Sequence, residues 1–95
     1  MKAIPVYRLI SHSSLGYHVY PEIGNGVDEE LARATGIAYS AGQLLAKPLG
    51  KNVKKVVVEF TDGSIIVAWS NGEGVIGIYA DSSRHVLQAR QVPQR

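Results

Sequence analysis

Hydrophobic and polar positions alternate through residues 52–80, NVKKVVVEFTDGSIIVAWSNGEGVIGIYA, and the alternation breaks at Asp62-Gly63 and again at Asn71-Gly72-Glu73-Gly74. Period-two patterning bounded by such turns predicts a three-stranded antiparallel meander. Asp-Gly between β-branched runs favours a two-residue type I′ turn, because both central residues then need positive φ. That loop sets Thr61 against Ser64, Phe60 against Ile65, Val58 against Val67 and Val56 against Trp69. Opposed side chains share a face, so Val56, Val58, Phe60, Ile65, Val67 and Trp69 form the expected core face. A second loop of two or four residues adds Ile76 and Ile78 to it. The reverse face is mixed: Lys55, Val57, Glu59, Thr61, Ile66, Ala68, Val75 and Tyr79.

Upstream, residues 3–10 (AIPVYRLI) read as a strand, Ser11-His12-Ser13-Ser14 as a polar turn, and residues 15–20 (LGYHVY) as a second strand stopped by Pro21. Neither face of this first hairpin is clearly the more apolar, so its register stays open. After the Gly24-Asn25-Gly26 punctuation the period lengthens to that of a helix over about residues 27–46. Leu31, Ala34, Ala38, Ala41 and Leu45 mark one stripe, small in its middle and flanked by Gly42, which lets a helix approach a sheet closely. Asn25 or Asp28 is placed to cap the start, Asp28, Glu29 and Glu30 suit the N-terminal dipole, and Pro48 and Gly50 end the helix beyond Lys47. Ile37 and Leu44 lie about 220–240° around the helix from Leu31. They either widen the core face or meet another subunit. A short helix over residues 84–92, with Val86, Leu87 and Ala89 inward, is expected to close the chain over part of the mixed face.

The 95 residues therefore describe a single α+β domain, 1–95: a five-stranded antiparallel sheet with a helix on one face. Composition (45% hydrophobic, 19% charged) is that of an ordinary globular chain. There is no cysteine, no apolar run near the roughly 20 residues of a membrane span, and no signal-like start, so the expected setting is cytoplasmic. A net charge of +2 does not by itself imply nucleic acid.

Catalytic and metal-binding templates fit poorly. His12, His18 and His85 lack the i, i+4 spacing of a helical metal site, and the acids at 28–30 are explained by the helix dipole. Gly72-Glu73-Gly74 lacks the lysine and helix of a phosphate loop. No enzyme, cofactor or metal is expected.

The strand 53–60 is terminal in a meander, free of proline and β-branched, and such an edge templates pairing with another chain. Either residues 1–10 cover it, or a second copy pairs with it across a two-fold axis. The second case predicts a homodimer whose interface takes Ile37, Ala41, Leu44, Val53, Lys55, Val57 and Glu59, and leaves Ile66, Ala68, Val75 and Tyr79 as a candidate partner face.

The run from LARATGIAYSAGQLLAKPLG through Val56-Val57-Val58-Glu59, Asp62-Gly63, Ile65-Ile66-Val67, the Gly72/Gly74 turn and Ala80-Asp81 resembles the Roadblock (dynein light chain) family over roughly residues 27–92. The chain looks like a short member without the usual N-terminal helix. The resemblance implies a Roadblock-like or profilin-like sandwich that dimerises through the central helix and the following strand. It also implies a non-enzymatic adaptor or scaffold that binds, and in some members regulates, a small Ras-like GTPase. Two alternatives stand beside it. One is a nucleic-acid-binding module using Lys51, Lys54, Lys55, Arg84, Arg90 and Arg95 with Tyr7, Tyr17 and Tyr20 as stacking rings. The other is a structural subunit of a larger complex.

Overall fold

The computed structural model describes residues 7–81. Strands β1 (Tyr7–Ser13) and β2 (Gly16–Tyr20) form a hairpin, and helix α1 (Val27–Ala46) follows, continued by a 3-10 turn at Lys47–Leu49. Strands β3 (Val56–Glu59), β4 (Ile65–Ser70) and β5 (Gly74–Ala80) complete one antiparallel sheet in the order β2-β1-β5-β4-β3. The α+β class, the five strands and the helix on one face are as expected from the chain. The expected helix over residues 84–92 and the first residues of the 3–10 strand lie outside the described residues.

Three local expectations change. β1 runs straight through Ser11-His12-Ser13, because pairing with β2 on one side and β5 on the other satisfies its backbone; the turn is Ser14-Leu15. Gly26 stands at the helix N-cap without a side-chain cap. Asp28 instead reaches backwards, its Oδ1 accepting the Ile23 N–H (2.8 Å) and the Gly24 N–H (3.3 Å). β3 spans only Val56–Glu59, because Val53 turns in beside Gly42 of α1.

The largest change is one of parity. The Phe60 N–H donates to the Ser64 carbonyl (2.8 Å) and the Gly63 N–H to the Phe60 carbonyl (3.0 Å), which closes a three-residue loop, Thr61-Asp62-Gly63. Asp62 selects it: its carboxylate accepts the Ser64 N–H (2.9 Å) and the Ser64 hydroxyl (2.6 Å), and Gly63 takes the left-handed φ of 91° that this closure requires. The same Ser64 hydroxyl and N–H hold the Asp62 carboxyl below the usual aspartate range.

Val56 therefore faces Ala68, and Val57 faces Val67. One residue of register moves every β3 side chain to the other face relative to β4. The β4–β5 pairing is the expected one, with Trp69 opposite Ile76 and Val67 opposite Ile78.

α1 lies on the face of Ile10, Val19, Ile66 and Ala68, which form the core with Ala32, flanked by Leu31 and Tyr79. This is the face expected to be mixed and open. The helix settles there because its centre is small: Thr35 sits over Gly77, and Gly42 over Val56. The opposite face, crowded with Trp69, Ile76 and Ile78, offers no such approach. The buried helix positions are Ala32, Thr35 and Tyr39, whereas Ala34, Ala41 and Leu45 of the expected stripe are exposed. Thr35 tolerates burial because its hydroxyl donates to the Leu31 carbonyl (2.8 Å).

A β-carbon at Gly77 would come within 2.9 Å of Thr35 Cγ2. Gly77→Val is therefore expected to cost about 1–3 kcal/mol by overpacking, read as a lower urea midpoint with unchanged slope.

Candidate functional site

Two surfaces stand out: the β3 margin and the sheet face turned away from α1. β3 is a terminal strand of the sheet, and β1 sits three places away beside β5, so Tyr7–Ser13 does not cover it. Because Phe60 bonds towards β4, alternation turns the N–H and C=O of Val58 and Val56 the same way. The main-chain groups of Val57 and Glu59 then point outward. Their side chains, with that of Lys55 one residue before the strand, lie on the face away from α1.

Of the expected interface residues, Ile37, Ala41 and Leu44 occupy one outer ridge of the helix, at i, i+4 and i+7. Ile37 and Leu44 are 63% and 70% exposed, so they do not widen this chain's own core. Gly42 lies over Val56, which brings Leu44 to the β3 end of α1 and leaves Ile37 about 10 Å further back. Val53 is half-buried against Gly42.

The candidate partner face is corrected. Ile66 and Ala68 are 8% and 1% exposed beneath α1, and Val75 and Tyr79 lie on the same side and are half-buried. The odd-length loop and the close helix approach closed this surface. On the other face Tyr7, Leu9, Ile65, Val67, Trp69, Ile78 and Ala80 line a hollow of about 370 Å³, in which Leu9 is exposed, Ala80 is buried and the rest are half-buried. Most of its alternating β4–β5 residues were visible in the chain, but they read as core. The contribution of Tyr7 and Leu9 needed the β1–β5 register, which pattern alone does not supply.

His12 faces the helix at Gly36, and His18 stacks on Tyr20 with ring centroids 6.4 Å apart. Among the described residues, no group of three His, Asp or Glu side chains is placed to hold a metal, and no helix is long and apolar enough to cross a membrane. Tyr7, Tyr17 and Tyr20 belong to the β1–β2 side of the sheet, away from Lys51, Lys54 and Lys55 beside β3, so these rings and lysines are not brought together; Arg84, Arg90 and Arg95 lie outside the described residues.

The fold and these surfaces define an α+β protein built on one open sheet whose terminal strand β3 pairs only with β4 among the described residues. The chain matches no family model, and no curated protein or solved structure gives a significant match.

Proposed function

We propose that the chain is a cytoplasmic, non-enzymatic, Roadblock-like scaffold that dimerises through β3 and offers the resulting pair of helices to a small Ras-like GTPase. The observation that carries this reading is the β3 margin, unpaired among the described residues, with the outward main-chain groups of Val57 and Glu59. A two-fold axis at Val57 would set Val57 against its own copy and Lys55 against Glu59 of the second chain, twice. This register uses only outward-facing residues and pairs opposite charges, whereas a shift by two residues in either direction leaves both charges unmatched.

The Ile66/Ala68 surface is covered by α1, which leaves the helix pair as the surface for a GTPase. The scaffold would act on nucleotide turnover by positioning the partner's switch segments, since no group of its own is assigned to chemistry.

Sedimentation equilibrium at micromolar concentration is expected to return twice the 10.3 kDa chain mass. A GTPase encoded beside this chain is then expected to co-elute with the dimer and to change its rate of GTP hydrolysis. A monomer would overturn the dimer. A dimer that leaves every neighbouring GTPase unbound and unaffected would reduce the reading to a structural subunit.

A further inference from the structure

The end of the molecule where α1 stops is unusual in charge and exposure. Between Glu30 and Glu59 the chain contains no Asp or Glu, while Lys47, Lys51, Lys54 and Lys55 fall within nine residues. The geometry there is tight. The Gly50 N–H donates to the Lys47 carbonyl (3.0 Å) and the Lys51 N–H to the Ala46 carbonyl (3.1 Å), so the chain reverses at once beyond the helix. Lys47, Lys51 and Lys54 are exposed and make no ion pair among the described residues. Leu45 and Leu49 emerge from the same turn, 75% and 67% exposed.

The fold does not require this arrangement. Helix closure is met by the two main-chain bonds, and a lysine at Lys47 complements the helix C-terminus. Neither accounts for two bare leucines or for the lysines that follow.

We propose that this turn docks on an anionic membrane surface, with Leu45 and Leu49 entering the headgroup region and Lys47, Lys51 and Lys54 over acidic lipid. Charge complementarity selects the surface, and residue type selects lipid over an acidic protein or a nucleic acid. Among the described residues the cations at this turn are lysines, which act as point charges on apolar stems, with no arginine fork for carboxylates or phosphates among them. No aromatic anchor accompanies them, and the tyrosines that might stack bases are at the other margin. Short leucine side chains with lysines beside them suit the shallow insertion of a peripheral contact. Lys55 is left out, because its place one residue before β3 assigns it to the strand edge. The proposal does not depend on the dimer.

Co-sedimentation with vesicles tests it. The whole chain is expected to bind vesicles mixing phosphatidylcholine and phosphatidylserine, not phosphatidylcholine alone, and to be released by raised salt. Each lysine changed to glutamine should lower partition about fivefold, so K47Q/K51Q/K54Q together should lower it about a hundredfold. Leu45→Ser with Leu49→Ser should lower it at least about tenfold while salt sensitivity remains. All five positions are exposed, and near-ultraviolet dichroism of Trp69 verifies that the variants keep their fold.

Several results would overturn the proposal: no uptake by the mixed vesicles, equal uptake by uncharged ones, or a triple variant that binds as well as the parent. Salt-sensitive retention on single-stranded DNA without vesicle binding would do so too, and would return the lysines to the nucleic-acid reading. Sedimentation equilibrium of the same variants separates this outcome from failure of the dimer, because none of the five changes touches Lys55, Val57 or Glu59.

Discussion

Lys55→Glu and Glu59→Lys are each expected to weaken self-association roughly ten- to a hundredfold, and the double exchange to restore it. In the Val57-centred pairing each single change replaces two opposite-charge cross-strand pairs with two like-charge pairs. Such pairs contribute about 0.2–1 kcal/mol apiece, so losing two and gaining two repulsions amounts to about 1–3 kcal/mol. Both side chains are exposed and on the face away from α1, so neither change disturbs the chain's own core. Sedimentation equilibrium over a concentration series measures the effect. Restoration in the double variant is the decisive part: single losses alone would fit any interface near these residues. If the double variant is as weak as either single one, this register is wrong.

Proline at neighbouring positions of β3 should have opposite consequences. Val57→Pro removes an outward N–H that β4 does not use, and edge strands accept proline where the N–H faces solvent. The variant should stay folded, with close to parental thermal stability, yet be monomeric, since the central N–H of both copies is lost across the axis. Val58→Pro removes an N–H directed at Ile66. It should detach β3 and cost about 3 kcal/mol or more. Thermal melts and sedimentation read the two effects separately. A dimeric Val57→Pro would exclude β3 pairing as the interface, and a stable Val58→Pro would contradict the alternation that assigns outward groups to Val57.

The helix boundaries were legible because several independent signals agree at each end: the acidic first turn, the change of period after Gly26, and Pro48 with Gly50 beyond the last turn. The three meander strands and the β4–β5 register were legible for the same reason. The parity of the Thr61–Gly63 loop was not. It is decided by the Asp62 carboxylate binding Ser64, a side-chain choice that β-branched flanks do not reveal. That single residue of register misplaced β3, while the core and partner faces of β4 and β5 were exchanged because the small centre of α1 fits over Gly77.

The helix stripe was shifted for a different reason. Alanines occur on both sides of α1, so Ala34 and Ala41 looked as good as Ala32. Thr35 and Tyr39 carry polar atoms and do not stand out in an apolar pattern, yet both are buried, the hydroxyl of Thr35 being satisfied within its own turn. The candidate edge survived these errors, because it depends on strand order and not on facing.

The Thr61-Asp62-Gly63 loop also determines what a newcomer strand would encounter at the rim. Along β3 the residues that extend hydrogen-bonding groups outward are also those that display Lys55, Val57 and Glu59 on the uncovered side. Any chain that docks there is sorted by a short cation–apolar–anion code before its own backbone is tested. With a loop one residue shorter, Val56, Val58 and Phe60 would become the outward row on the side away from α1, while Lys55, Val57 and Glu59 would turn under the helix, leaving an apolar margin able to accept almost any extended segment without discrimination. Selectivity at this rim is thus written in the length of a turn that never touches the visitor.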